Sequence, residues 1–117
     1  MSTTHHPSLS THVLDTERGE PAVGVPVALS RWDAGGLMLL SAYETDHDGR
    51  IQSFVDESLQ VGSYQLAFDV AAYFRRRGDD VAFLSKVVIE FQVLDSERHY
   101  HVPLLLSRYA CSSYRGS

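Results

Sequence analysis

Histidine residues are the first candidates for chemistry in this chain. His99 and His101 are separated by a single residue in an apolar segment. Side chains at positions i and i+2 of a strand share a face. The same spacing places Ser10 and His12 together near the start of the chain. Because a neutral imidazole accepts or donates a proton near neutral pH, these residues predict acid–base chemistry. A single histidine on a half-exposed strand is more often structural or solvated. For His99 we expect either a solvated side chain or one that supports the site without touching the substrate.

A zinc site is the alternative use of the two neighbouring histidines, because His-x-His on a strand can supply two ligands to one metal. The sequence offers no convincing third and fourth ligand, since Cys111 lies ten residues further on and His47 falls within a turn. We therefore expect no metal here. The sequence also contains no Gly-rich phosphate loop, G-x-S-x-G elbow or C-x-x-C pair. Nucleotide binding, serine-esterase chemistry and dithiol chemistry thus lack support.

The C-terminal segment, residues 101–117, is a second unusual feature. An apolar run is followed by Tyr-Arg-Gly-Ser at positions 114–117. Chain ends generally fray, because they seldom bury enough surface to offset the entropy of ordering them. The dense set of donors and acceptors at this position predicts that the C-terminal segment packs against the domain and takes part in its function.

Size and composition predict one globular domain. The 117 residues are 44% hydrophobic and 21% charged, which is typical of a single core. A formal charge of -5 disfavours a nucleic-acid or anionic-membrane surface. A single cysteine excludes an intrachain disulfide, and the sequence shows neither a secretory signal nor an apolar run near membrane-span length. We therefore expect a cytoplasmic protein that binds no nucleic acid and no membrane.

Period-two alternation from Leu9 onward predicts the antiparallel β-sandwich that must position these groups. Residues 1–8 are small and polar and predict a disordered lead to one domain over residues 9–117. Asp-His-Asp-Gly at 46–49 predicts a tight turn that presents Arg50 at the start of a strand. Pro26 restricts its own strand to an edge or a bulge. Eight strands are expected at 9–14, 23–32, 37–45, 50–55, 63–70, 83–94, 99–106 and 109–115, with one short helix at 69–78.

Three segments resemble the 5-hydroxyisourate hydrolases of the transthyretin-related family. They are Leu-Ser-Thr-His-Val-Leu-Asp-Thr at 9–16, Thr-Asp-His-Asp-Gly-Arg at 45–50, and Tyr-His-Val-Pro-Leu-Leu-Leu-Ser at 100–107 closed by the terminal Tyr-Arg-Gly-Ser. They occur in order across almost the whole chain, and the terminal tetrapeptide separates the hydrolases from the hormone-carrying transthyretins. Arg108 and Ala110 stand where the family more commonly has proline and glycine. The last turn therefore lacks both the fixed φ of a proline and the backbone freedom of a glycine.

The resemblance implies a fold, an assembly and a reaction. The fold is an all-β, transthyretin-like sandwich of two four-stranded antiparallel sheets with one short helix. The assembly is a homotetramer, a dimer of dimers, with active sites in the cleft between dimers. The reaction hydrolyses a C–N bond of 5-hydroxyisourate in purine (urate) catabolism, giving 2-oxo-4-hydroxy-4-carboxy-5-ureidoimidazoline. The family needs no metal or organic cofactor.

By the same resemblance, His12, Arg50 and His101 are the catalytic set. Tyr114 and Ser117 join His12 and Arg50 in binding the substrate. The residue types suit the reaction, because hydrolysis of a cyclic amide-like bond needs a base, a donor for the oxyanion and an acid for the leaving nitrogen. The sequence does not assign base and acid between the two histidines. A carrier of a small aromatic ligand and an immunoglobulin-like interaction module are the alternatives to an enzyme.

Overall fold

The computed structural model describes residues 8–79 and 82–116, which form two packed sheets and one short helix. The predicted sandwich is confirmed. Helix α1, Val70–Arg76, follows the sixth strand. The described residues contain nine strands: β1 Leu9–Asp15, β2 Glu20–Pro21, β3 Pro26–Asp33, β4 Gly36–Glu44, β5 Arg50–Ile51, β6 Gly62–Phe68, β7 Val87–Val93, β8 Tyr100–Leu106 and β9 Cys111–Ser113.

The two sheets differ in their pairing. One has the order β4-β3-β6-β7 and is antiparallel throughout. The other has the order β2-β1-β8-β9, with β5 also paired to β1, so it has five strands where four were expected. Its central pair, β1 and β8, runs parallel. This pair sets Ser10 directly beside His101, 91 positions away in the chain.

Alternation along the strands places their apolar side chains between the sheets. Leu9 and Val13 of β1 and Leu104 of β8 are fully buried, as are Leu29 of β3 and Leu66 of β6 in the opposite sheet. Each such side chain contributes about 1.5–3 kcal/mol when it leaves water. Because the period is two, the positions between these residues on β1 and β8 lie on the outer face of the five-stranded sheet.

Helix α1 confirms the predicted short helix. Asp69 caps its start, with a carboxylate oxygen that accepts the Ala72 backbone N–H at 3.1 Å. The Tyr73 hydroxyl donates to the buried Asp15 carboxylate at 2.7 Å and so ties the helix to the end of β1. Burial, together with this carboxylate, raises the pKa of Tyr73, so the phenol remains a donor. No helix among the described residues is long and apolar enough to cross a membrane.

Three strand boundaries lie three or more residues from their predicted positions. β3 begins at Pro26, and β3 is a central strand, not an edge strand, because proline is tolerated at the first residue of a strand. Val23 precedes it and is 49% exposed, whereas Val25 and Val27 are buried. β5 ends at Ile51. β7 starts at Val87 because the backbone before it bonds elsewhere: the Leu84 N–H donates to the Arg108 carbonyl at 3.0 Å.

Ser8 belongs to the folded domain, although the sequence placed it in the disordered lead. It is buried, and its hydroxyl donates to the Glu57 carbonyl at 2.9 Å. Its own carbonyl accepts the Tyr100 backbone N–H at 2.9 Å, which extends the pairing of β1 and β8 by one step. Residues 1–7 of the predicted lead lie outside the described residues.

The turn between β8 and β9 closes without proline or glycine. Ser107 organises it, because its hydroxyl accepts the Ala110 backbone N–H at 3.0 Å and its backbone N–H donates to the Ala110 carbonyl at 2.9 Å. The Arg108 backbone N–H donates to the Glu17 carboxylate at 2.6 Å, and the Arg108 guanidinium pairs with it at 3.1 Å. A proline at 108 has no N–H to offer. The contact between Arg108 and Glu17 thus holds the turn in place, where a proline would have restricted its backbone angles.

Ser41 provides a test of the core. It lies on β4 opposite Leu29, and its hydroxyl is buried without a hydrogen-bond partner among the described residues. An unsatisfied buried hydroxyl is costly, so Ser41→Ala is expected to leave the free energy of unfolding unchanged or to raise it by about 1 kcal/mol. Urea denaturation measures this, and a clear loss of stability would show that the hydroxyl has a partner.

Candidate active site

Three of the predicted site residues meet on the outer face of the five-stranded sheet. His12 of β1 and Arg50 of β5 are register partners, so their side chains share a face. His101 of β8 lies beside Ser10, two positions from His12, and therefore on that same face. Arg50 and His12 both lie close enough to interact electrostatically with the His101 imidazole. The structure thus gathers His12, Arg50 and His101 into one cluster, which we call the imidazole–guanidinium cluster.

The turn at 46–49 holds Arg50 in place. The Asp46 carboxylate accepts the backbone N–H of Asp48 at 2.9 Å and of Arg50 at 3.0 Å, and these bonds lower the pKa of Asp46. Gly49 has a φ of +75°, and its carbonyl accepts the Val13 N–H at 2.8 Å. A Cβ at Gly49 would lie 2.5 Å from the Val13 carbonyl oxygen. Only glycine allows the turn to pack this closely on β1 and bring Arg50 to His12.

Ser10 connects two histidines. Its Oγ lies 2.8 Å from Nδ1 of His101 and 3.0 Å from Nε2 of His99. The two imidazole rings are nearly parallel, with centroids 6.5 Å apart. His99 is exposed and is joined to the site through Ser10, which fits either of the roles expected for it. Sequence reasoning did not place Ser10 in the site, although its spacing from His12 was the signal that could have done so.

The C-terminal segment packs against His101. The Gly116 backbone N–H donates to the His101 carbonyl at 2.8 Å, which forms an isolated antiparallel bridge. A Cβ at Gly116 would lie 2.5 Å from Cδ2 of the imidazole, so a larger residue would displace the ring. Ser117, predicted to bind substrate, lies outside the described residues.

The two residues before Gly116 have different surroundings. Tyr114 is 59% exposed. Arg115 stacks on the buried Tyr100, with the guanidinium carbon 4.9 Å from the ring centroid, so it anchors the tail to the core side of the sheet. Both residues line a cavity of about 330 Å³ that Phe91 and Val102 also line. No histidine or carboxylate is among its described lining residues, so the cavity does not include the imidazole–guanidinium cluster.

One group of potential metal ligands occurs among the described residues. Asp46, His47 and Asp48 have ligand atoms within 4.8 Å of one another. They belong to the exposed turn, and the Asp46 carboxylate already accepts two backbone N–H groups. The pair considered for zinc, His99 and His101, is not part of this group.

The protonation of His101 provides a second test. Burial lowers its pKa below the ordinary 6.5, and the charges of His99, Arg50 and His12 add to the effect. The folded-state pKa lies below the unfolded value, so the neutral form is favoured and His101 opposes folding as the pH falls below 6.5. An NMR titration is expected to give a midpoint below 6.5. Arg50→Gln should raise the midpoint but leave it below 6.5, because burial is a larger cause of the lowered pKa than Arg50. A midpoint at or above 6.5 in the wild type would contradict this account.

Fold and site together define a transthyretin-like β-sandwich that carries an imidazole–guanidinium cluster on one outer face. The model of the HIUase/Transthyretin family matches residues 9–116. The 5-hydroxyisourate hydrolase of Caulobacter vibrioides is 45% identical over 112 residues, which cover 93% of this chain and 97% of that protein. The chain belongs to the HIUase/Transthyretin family.

Solved structures agree with this assignment. The Klebsiella pneumoniae 5-hydroxyisourate hydrolase superposes with a TM-score of 0.85 at 37% identity, covering 95% of this chain and 99% of that one. Sea bream transthyretin in complex with thyroxine gives a TM-score of 0.86 at 28% identity, covering 93% and 94%. The predicted family and fold are confirmed. The prediction of an enzyme, a hydrolase, is confirmed by relatives of that name that are 41% to 45% identical over nearly the whole chain.

Proposed function

We propose that this chain hydrolyses a C–N bond in the ring of 5-hydroxyisourate, giving 2-oxo-4-hydroxy-4-carboxy-5-ureidoimidazoline in urate breakdown. The observation that carries the proposal is the meeting of His12, Arg50 and His101 on one sheet face, with the C-terminal segment packed against His101. The names of relatives at 41% to 45% identity support the choice of substrate.

The proposed mechanism follows from the state of each group. His101 favours its neutral form, and Ser10 occupies Nδ1, so Nε2 is the nitrogen that takes a proton from the attacking water. Arg50 is permanently charged and offers a planar fork to the oxyanion that develops on the carbonyl oxygen. His12 then protonates the leaving nitrogen as the C–N bond breaks.

The C-terminal segment is proposed to complete the substrate site. Gly116 bonds to the His101 carbonyl, and a Cβ added to it would reach the imidazole, so the segment packs against one of the proposed catalytic residues. Tyr114 has an exposed phenol, and Ser117 directly follows Gly116. We propose that both hydroxyls bind the substrate or its water, while Arg115 holds the segment to Tyr100.

We also propose a homotetramer, a dimer of dimers, with the site in the cleft between dimers. Supporting this, Arg50 is exposed and His12 only half-buried in the single chain, so the cluster is open on one side. A sedimentation measurement at micromolar concentration is expected to show a tetramer, and a monomer alone would contradict it. A cytoplasmic location is proposed as well, supported by the exposed free thiol of Cys111.

An activity assay tests the function directly. Purified protein is expected to speed the loss of freshly generated 5-hydroxyisourate, followed by its ultraviolet absorbance, in proportion to protein concentration. Decay at the buffer rate at every protein concentration would refute the enzyme proposal. The carrier alternative, suggested by the transthyretin fold alone, predicts saturable binding of an aromatic ligand without turnover.

A further inference from the structure

The hydroxyl of Ser10 lies between two titratable rings. It is 2.8 Å from Nδ1 of His101 and 3.0 Å from Nε2 of His99. A hydroxyl has one proton to donate and lone pairs to accept with. When Ser10 donates to one imidazole, it can bond the other only as an acceptor. The proton positions on His99 and His101 are therefore linked through Ser10.

The sheet holds this arrangement firmly. Ser10 and His101 are register neighbours in the parallel pair of β1 and β8, and His99 immediately precedes β8. On the core side of the same pair, the buried Thr11 hydroxyl donates to the Val102 carbonyl at 2.5 Å. Side-chain hydrogen bonds from Ser10 and from its neighbour Thr11 thus both join β1 to β8. They leave Ser10 little freedom to move away from the histidines.

We propose that Ser10 and His99 form a proton relay for His101, with Ser10 as a positioning residue in the hydrolysis. As water attacks the substrate and gives a proton to Nε2 of His101, Nδ1 of His101 passes its proton to Oγ of Ser10. The Ser10 hydroxyl proton passes to Nε2 of His99, whose Nδ1 already carries one. Each group gains and loses one proton except His99, which becomes the cation. After His12 has protonated the leaving nitrogen, the reverse transfers return the excess proton from His99 to Nε2 of His101. From there it passes to the neutral His12, and every group is back in its starting state.

The physical reason for such a relay is the placement of charge. His101 is half-buried, and burial together with His99, Arg50 and His12 lowers its pKa, so an imidazolium at this position is disfavoured. His99 is exposed to water, which stabilises a cation. The relay lets His101 accept a proton from water without holding a second positive charge beside Arg50. A positive charge on His99 disfavours a second positive charge on His101. The two imidazoles together therefore hold only one proton more than they do when both are neutral.

The link between the rings is tested first without substrate, because the catalytic part of the inference rests on the proposed function. Ring-nitrogen NMR spectra of Ser10→Ala are expected to show shifted resonances for Nδ1 of His101 and Nε2 of His99. Ser10→Thr keeps the hydroxyl and suits a strand, so it should restore both resonances. Unchanged spectra in Ser10→Ala would overturn the inference. Ser41→Ala is the matched control, since it removes a serine hydroxyl from the other sheet.

Turnover tests the relay itself. Ser10→Ala is expected to lower kcat about 10-fold with KM nearly unchanged, the scale seen when a hydrogen-bond partner of a catalytic group is removed. Ser10→Thr should recover most of that loss. His99→Ala should lower kcat similarly, and the double variant should be no slower than either single one, because both break the same relay.

The outcomes separate the two proposals. Multiplicative losses in the double variant, or no recovery in Ser10→Thr, would show a merely structural serine and overturn the relay. Wild-type protein without any turnover would overturn the proposed function and the relay's catalytic role with it. The ring-nitrogen spectra would still decide whether Ser10 links the two histidines.

Discussion

His101→Asn is expected to lower kcat on 5-hydroxyisourate by about 100-fold or more, the usual scale for losing one general acid–base group. The asparagine amide can still hydrogen bond to Ser10, but it cannot exchange a proton near neutral pH. The residue lies on the outer face of the sheet and not in the core, so the sandwich should stay folded. Steady-state kinetics with a parallel urea denaturation curve measures both effects.

His47→Asn is the matched control for this variant. It makes the same chemical change at a histidine whose side chain is 87% exposed in the turn beside Arg50. Its kcat is expected to stay near that of the wild type. If His101→Asn remained within about threefold of the wild type, the acid–base role that we assign to His101 would be wrong.

Gly49→Ala is expected to destabilise the protein by roughly 3 kcal/mol or more and to reduce kcat as well. An alanine here must adopt a φ near +75° and place its Cβ 2.5 Å from the Val13 carbonyl oxygen. That oxygen belongs to the backbone of β1 and cannot rotate away. The turn would have to shift, which would move Arg50 from His12 and weaken the stabilisation of the oxyanion.

Gly19→Ala separates the clash from the backbone strain. Gly19 has a similar φ of +67°, but an added Cβ meets nothing within 4 Å. Only the strain remains, so this variant should lose about 1 kcal/mol and retain its activity. Urea denaturation of the two variants gives the difference. Equal losses at Gly19 and Gly49 would show that the turn does not depend on close packing against Val13.

The transthyretin-like sandwich explains why fold alone does not specify activity in this family. Sea bream transthyretin superposes on this chain as well as the Klebsiella pneumoniae hydrolase does, with TM-scores of 0.86 and 0.85. Function in such a fold depends on the site it carries, and we propose that the imidazole–guanidinium cluster on one sheet face is the site of hydrolysis in this chain. The His101→Asn and Ser10→Ala variants therefore test the function without testing the fold.

Much of the local structure was predictable because its causes are local. The Asp46 carboxylate and the positive φ of Gly49 build a turn within five residues, and both appear as expected. Asp69 caps a helix whose length is set by residues within two turns. Period-two alternation identified which side chains of β6 and β7 face the core, because alternation is a property of each strand by itself.

Tertiary pairing decided the site. Alternation assigned Ser10 and His101 to a face of their own strands, but it does not say which strand lies next to which. The parallel pairing of β1 with β8 joins residues 91 positions apart, and no local pattern encodes that register. It is this pairing that connects His99 to His101 through Ser10, and the short β5 that adds Arg50 beside His12. The chain thus determined the chemistry available at each position, and long-range pairing, driven by burial of the shared core, determined which of those groups meet.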